Sequence, residues 1–445
     1  MKRKTQKTTN KFTRKRALFQ GSFITYKSSN EILQLLRRYL MVSFIHAADL
    51  HLDSPFKGLI HLSDEWFEAV QNSTFQAFEQ IVSQAIKNAV DFVVIAGDLY
   101  DASERSIRAQ TFLREQFKRL NTAQINVYII YGNHDFIDRQ YLYIDMPENV
   151  HIFDETPETV YYQSAQGETV AISGFSYDQQ HIKDNRLQKY PPRDITADYH
   201  IGLLHGNCQG IETPSSVYAP FSVADVRRLN YDYLALGHIH KRGSIHSSLP
   251  AYYSGNIQGC HRKELGDKGC YLVKCEQGQC HPEFISAAPI IWEAITVNMS
   301  GATSLQQALN KITQILHEQL ERQANKRYLI DLTCQFEELD AALVSMLTTD
   351  QINQLIDSSD YWITHITCEK QSDQHLIDSF IERYPSAWQK AIHSVTDDDH
   401  FTLLQQELQT QVPLKYWQQD WDHDFKERIK QQAIQAIEQA LVDNE

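Results

Sequence analysis

The sequence lacks the features that mark membrane, disulfide-scaffold and nucleic-acid-coating proteins. Its apolar runs, such as Phe92 to Ala96, stop far short of the about 20 residues that span a bilayer, so no membrane contact is expected. Only seven cysteines occur in 445 residues (Cys208, Cys260, Cys270, Cys275, Cys280, Cys334 and Cys368), and no two form a C-x-x-C pair. That excludes a zinc ribbon and argues against a disulfide framework; reduced thiols and a cytoplasmic location are the expectation. Positive charge is also scarce. Residues 1–40 hold eleven basic side chains and one acidic one, which leaves 31 basic and 55 acidic on the rest, a net −24 against −14 for the whole chain. A body of that sign cannot coat DNA by broad counterion release, although a nuclease with cations at its site is not excluded.

What is present is ordinary for a folded chain: 42% hydrophobic, 22% charged and 11% aromatic residues, with length for two or three domains. The basic, polar segment 1–40 has no secretory apolar core. A disordered, solvated extension is expected there, with a nucleic-acid-binding arm or a targeting segment as the alternatives. Met41 directly precedes the first strong strand, which makes it a candidate start of the functional chain.

From Met41 to about residue 260 one arrangement recurs: a short apolar run ends abruptly in a polar cluster. Phe44-Ile45-His46-Ala47-Ala48 runs into Asp49-Leu50-His51, Phe92–Ala96 into Gly97-Asp98, and Val127–Tyr131 into Gly132-Asn133-His134-Asp135. Further on, His200–Leu204 runs into His205-Gly206, and Tyr233–Leu236 into Gly237-His238-Ile239-His240. Near-continuous apolar runs suit strands covered on both faces, and ligands gather at strand carboxyl ends in open α/β sheets. The amphipathic stretch Phe67–Ala89 predicts a covering helix. Layered α/β architecture follows. The clusters mix carboxylate, carboxamide and imidazole, a donor set suited to paired transition metals rather than calcium. Two ions about 3.5–4 Å apart are the apparatus of phosphoester hydrolysis.

In this order and at these strand ends, Asp49-x-His51, Gly97-Asp98, Gly132-Asn133-His134-Asp135, His205-Gly206 and Gly237-His238-Ile239-His240 resemble the five motifs of the calcineurin-like metallophosphoesterases. The longer wordings His46–Asp53 and Ser254–Gly259 are similar to the SbcD-type DNA repair exonucleases, most closely the YhaO branch. The resemblance implies a fold of two sheets flanked by helices. It implies two divalent ions, manganese being favoured, one held by Asp49, His51, Asp98 and His240 and the other by Asp98, Asn133, His205 and His238. Asp98 would bridge them. His134 would assist the leaving oxygen, oriented by Asp135. Some relatives carry a second histidine after the Gly-Asp motif where this chain has Asp101, which could hydrogen-bond a ligand imidazole instead. Ala102-Ser103 and Asp135 stand where serine/threonine phosphatases would show Arg-Gly and Glu.

The expected organisation is a catalytic domain over 41–290, a capping-like α+β domain over 291–372 and a helical C-terminal region over 373–445. The cap is expected from strands at Trp292–Val297, Tyr328–Phe336 and Tyr361–Cys368 with a helix at Leu305–Leu320. By resemblance it would control which DNA ends enter, with a bland packing role as the alternative. The acidic run Asp397-Asp398-Asp399 after Thr396 is more simply a helix start than a metal site. Trp417, Trp421, Phe425 and Ile429 share a helix face that packs by default and, by resemblance, could bind an SMC-like coiled-coil ATPase of the SbcC or YhaN type. The expected function is metal-dependent cleavage of DNA in repair or end processing. Two alternatives stand beside it, a small-molecule phosphodiesterase and a non-catalytic scaffold that regulates the ATPase. Homodimerisation is expected from the family alone, since no heptad marks an interface.

Overall fold

The computed structural model describes residues 41–370, apart from 57–58, 60–61, 102–105, 138–143, 211–217, 321–325 and 357, and beyond these only 386, 388–390 and 434. The expected N-terminal extension and nearly all of the expected helical C-terminal region, with Trp417 and Trp421, lie outside the described residues.

Two six-stranded sheets form the body. The first is built on parallel strands β1 (Val42–Ala47), β2 (Phe92–Ala96), β3 (Asn126–Ile130) and β4 (Val150–Ile152). The second takes β5 (Glu158–Gln163), β6 (Thr169–Gly174), β7 (Tyr199–His205), β8 (Tyr233–Gly237), β9 (Gly243–Ser244) and β10 (Ala251–Tyr253) in the order β5-β6-β7-β8-β10-β9. The hairpin β11 (Gly269–Glu276) and β12 (Gln279–Ser286) closes the first sheet, β11 pairing antiparallel with β1. Alternation along each strand explains the layers. Phe44, Phe92, Val94, Tyr128 and Ile130 point into an aromatic-rich core shared with Ile201, Leu203 and Tyr233 of the second sheet. Their neighbours Ile45, Val93, Ile95, Val127 and Ile129 face a separate core under the helices.

Those helices are the crossovers that parallel strands need. Helix α1 (Asp64–Asn88) starts at Ser63, whose side chain accepts from the Trp66 amide, and its Phe75, Phe78, Ile81, Val82 and Ala85 stripe is buried. Helix α2 (Ile107–Thr122) is capped by Ser106, which accepts from the Ala109 amide at 3.0 Å. A short helix α3 (Val223–Leu229) carries a capping box between Ser222 and Asp225 ahead of β8.

The cysteine expectation needs correction. Cys275 and Cys280 sit directly opposite each other on β11 and β12 and are disulfide-bonded, with Cα atoms 4.0 Å apart. The spacing C-x4-C conceals this pairing until Gln277 and Gly278, both at positive φ, form a two-residue turn. The remaining five cysteines are free.

The C-terminal segment is a sheet of β13 (Ile290–Asn298), β14 (Arg327–Phe336) and β15 (Tyr361–Lys370), all parallel. It departs from the expected strand and helix pattern in having two short helices between β14 and β15. Helix α4 (Leu305–Gln319) makes the first crossover, and α5 (Ala341–Met346) with α6 (Thr349–Ile356) the second. The sheet meets the body through Trp66 and Val70 of α1 packed with Ile290, Trp292 and Leu329.

Candidate metal centre

All five polar clusters converge at the carboxyl ends of β1, β2, β3, β7 and β8. Asp49 follows β1 by two residues, Asp98 follows β2 by two, Asn133 lies just beyond β3, His205 ends β7 and His238 follows β8. Pairing of His205 with Gly237 in adjacent strands brings the last two together. The backbone is bent to deliver them: Asp49, His51, Asp98 and His238 all have positive φ, at 51°, 42°, 53° and 94°. L-residues hold that conformation at a cost, and such outliers cluster where geometry is functional. Glycines permit the close approach. A Cβ on Gly237 would lie 2.0 Å from the Ala96 carbonyl oxygen, and one on Gly132 would lie 2.3 Å from Asp98 Oδ1.

Two donor groups result. Asp49, His51 and His240 form one, Asp98, His205 and His238 the other, and within each the donor atoms lie within 4.8 Å of one another. Asp98 reaches toward both, its Oδ2 standing 3.3 Å from His205 Nε2 and 3.9 Å from His51 Nε2. Asn133 Oδ1 lies 3.0 Å from His205 Nε2 and 3.1 Å from His238 Nδ1. The seven side chains expected as ligands are thus gathered in one place.

The surrounding shell determines which nitrogens face inward. His205 Nδ1 donates to the Ala96 carbonyl at 2.9 Å, so Nε2 is the nitrogen that faces Asp98. His240 Nδ1 donates to Glu264, leaving its Nε2 only 3.1 Å from His51 Nε2. Convergent lone pairs with carboxylate between them fit a divalent cation, and the outer partners fix the tautomers as a metal site requires. The charge balance without a cation is correspondingly uneasy. Burial raises Asp49 to about 6 and lowers His51 to about 4 and His238 to about 3. Burial opposes the charged form of His205 too, but Asp98 outweighs it and lifts the imidazole to about 9.

Glu264 is the residue beside the donor groups that the sequence did not reveal. It is buried, and besides His240 it accepts from Asn256 Nδ2 at 3.0 Å and the Cys260 amide at 2.7 Å. Its signal was faint: one acid in the loop that follows the Ser254–Gly259 wording. Asp135, expected to orient His134, accepts from the amides of Leu99 and Gly132 at 2.6 Å each and of Asp98 at 3.3 Å. The carboxylate beside His134 is Asp101, with Oδ1 3.3 Å from Nδ1. Asp101 therefore meets His134 rather than the ligand imidazole suggested for it. Burial lowers the His134 imidazole, while the Asp101 hydrogen bond and the Asp98 charge more than offset it, so the net direction is upward.

This geometry, a twin donor set joined by one carboxylate between two α/β sheets, defines the class. Residues 42–242 match the calcineurin-like phosphoesterase family. Among known proteins it is 42% identical over 266 residues to the uncharacterized metallophosphoesterase YhaO of Bacillus subtilis, across 59% of this chain and 65% of that protein, so it spans just under two thirds of that relative. It is 24% identical to the SbcD component of the SbcCD nuclease of Staphylococcus epidermidis, across 76% of this chain and 92% of that one. To the DNA double-strand break repair protein Mre11 of Methanocaldococcus jannaschii it is 26% identical, across 60% and 72%. The family uses two divalent metal ions. Among the described residues no helix is long and apolar enough to cross a membrane.

Proposed function

We propose that this chain is a two-metal DNA nuclease, acting as exonuclease or endonuclease in repair or end processing. The observation that carries the reading is Asp98 set between two donor groups in a chain similar to a nuclease component over 92% of that component's length. Asp49, His51 and His240 would hold one ion, Asn133, His205 and His238 the other, with Asp98 shared. Manganese suits this mixture of imidazole and carboxylate. Bound ions activate water and neutralise charge on the phosphate oxygens.

The remaining work falls to the chain. His134 lines the cavity beside Asp98 and His238. With Nδ1 held by Asp101, Nε2 is the atom that would deliver a proton to the leaving oxygen. Asp135 keeps the loops carrying Asp98 and Asn133 in register through its three backbone hydrogen bonds. Residues 41–290 would be the catalytic domain, 291–372 the cap over DNA ends, and 373–445 the contact for an SMC-like ATPase in the cytoplasm. Similarity to the SbcCD and Mre11 proteins supports the partner, and homodimerisation belongs to the same reading.

The test is hydrolysis by the purified full chain with manganese, with and without the ATPase, on single- and double-stranded DNA and on bis(4-nitrophenyl) phosphate. Metal-dependent DNA cleavage that disappears on chelation is expected. Brisk hydrolysis of the small diester with DNA left intact would overturn the nuclease reading in favour of a small-molecule phosphodiesterase, which the acidic body favours. No hydrolysis at all would point to a scaffold.

A further inference from the structure

Beside the metal centre lies a cavity of about 680 Å³ whose lining is more than a phosphate pocket needs. It carries two unlike features, each attached to a different donor histidine. The first is aromatic. Tyr218 lines the cavity with its ring 5.0 Å from that of His238, and His181, exposed and outside the lining, stacks on Tyr218 at 5.3 Å and 23°. The backbone beneath the platform is pinned. The Tyr218 amide donates to Asn207 Oδ1 at 2.7 Å, its carbonyl accepts from the Asn207 amide at 2.9 Å, and a Cβ on Gly206 would meet the carbonyl oxygens of Ala219 and Tyr218 at 2.6 and 3.1 Å.

The second feature is cationic. Lys241, Lys263 and Lys268 line the same cavity, and among the described residues none has its ammonium within 4.0 Å of a carboxylate. Lys268 is partly buried with its Nζ 3.3 Å from the His240 carbonyl. The two acids of the lining are already engaged, Asp98 by the donor groups and Glu264 by His240, Asn256 and Cys260. With residues 41–445 at net −24, three lysines without an acidic partner at the mouth of the metal centre focus positive potential there. A small diester carries one phosphate, which three lysines exceed.

We propose that this cavity binds an unpaired stretch of a polynucleotide strand, with a base stacked on Tyr218 backed by His181 and the neighbouring phosphates on Lys241, Lys263 and Lys268. The inference rests on the nuclease reading and adds the form of substrate. A base within a duplex has both faces covered by its neighbours, whereas an unpaired base offers one to an aromatic ring, and such stacking tolerates any sequence.

The experiment uses the full-length chain with manganese and four substrates: a labelled single strand, the same strand with an abasic site at the scissile step, a blunt duplex and bis(4-nitrophenyl) phosphate. Wild type should cut the single strand in preference to the blunt duplex. Tyr218→Ala should raise KM for the single strand about tenfold relative to its effect on the small diester, and Tyr218→Phe should restore it. On the abasic strand wild type and Tyr218→Ala should have equal KM. Replacing Lys241 and Lys263 together by alanine should flatten the dependence of log KM on log salt by about 1.4, or 0.7 per phosphate contact. Should Tyr218→Ala fail to fold, Tyr218→Leu keeps the bulk and removes the ring. Equal losses on single strand and small diester, or preference for the blunt duplex, would overturn the platform while leaving the nuclease reading intact. A wild type that hydrolyses the small diester yet neither cuts nor binds any strand would remove both.

Discussion

The body and the C-terminal sheet of this protein bury opposite kinds of material. Between residues 41 and 264 the interior holds His46, Asp49, His51, Asp98, Asn133, Asp135, His200, His205 and Glu264, whereas every buried residue among the described part of 290–370 is apolar. Among the described residues all ten non-glycine residues at positive φ lie in the body and none in the C-terminal sheet. Buried polar groups and left-handed backbone each cost stability, and Asp49, His51, Asp98 and His238 combine a donor side chain with left-handed backbone at the strand ends. The C-terminal sheet, with Ile312, Leu316, Ile330, Leu332 and Ile352 fully buried, has the opposite interior, held by apolar packing.

The sharpest way to break this contrast is at the shared carboxylate. Asp98→Ala should reduce phosphodiester hydrolysis to the level of the chelated protein, because both donor groups lose a member; a rate near wild type would show that the cluster is merely a satisfied polar core. His134→Ala should lower kcat by about 10² to 10⁴ while metal content is retained, as expected for loss of a proton donor that is not a ligand. In the C-terminal sheet, Ile330→Ala should cost about 2–5 kcal/mol in denaturant unfolding through the cavity it leaves, with metal content unchanged. Coupled loss of metal there would show the two regions to be less independent than their interiors suggest. Glu264→Gln should weaken metal binding about 10- to 100-fold, measured by competition with a chelating dye, because the amide no longer fixes the His240 tautomer as a carboxylate does.

A separate test of the body's buried polar groups uses pH. His46 is fully buried against Tyr233 Oη at 3.0 Å and the Leu236 carbonyl at 3.2 Å, and burial lowers its imidazole to about 3. The unfolded chain, with its ordinary value of 6.5, takes up the proton first as pH falls. Stability from this group is therefore complete above 6.5 and lost on acidification toward 3, at about 1.4 kcal/mol per pH unit. Chemical unfolding at several pH values should show that slope, reduced by one proton in His46→Asn.

The body was legible because its physics leaves a linear trace. Parallel strands covered on both faces must be apolar along their length, and the fold delivers its ligands where those runs stop, so Asp49, Asp98, Asn133, His205 and His238 stand out as polar residues at abrupt boundaries. What the sequence hid depends on loops folding back. Glu264 acquires its partner 24 residues away only when the loop after β10 returns beneath His240. The pairing of Asp101 with His134 is decided by loop geometry, since Asp101 and Asp135 both lie within a few residues of an expected ligand. Cys275 and Cys280 are brought opposite one another by a turn that needs positive φ at Gln277, a residue with no special preference for it. In the C-terminal sheet, periodicity located the strands, but the doubling of the second crossover into two helices left no comparable mark.

The central claim is that the converging side chains form a two-ion site, and counting ions tests it most directly. Elemental analysis of the purified full chain, loaded with manganese and freed of excess, should find two equivalents per chain, with the count reduced in Asp98→Ala although the variant remains folded by circular dichroism. Wild type that retains no divalent ion under these conditions would contradict the account.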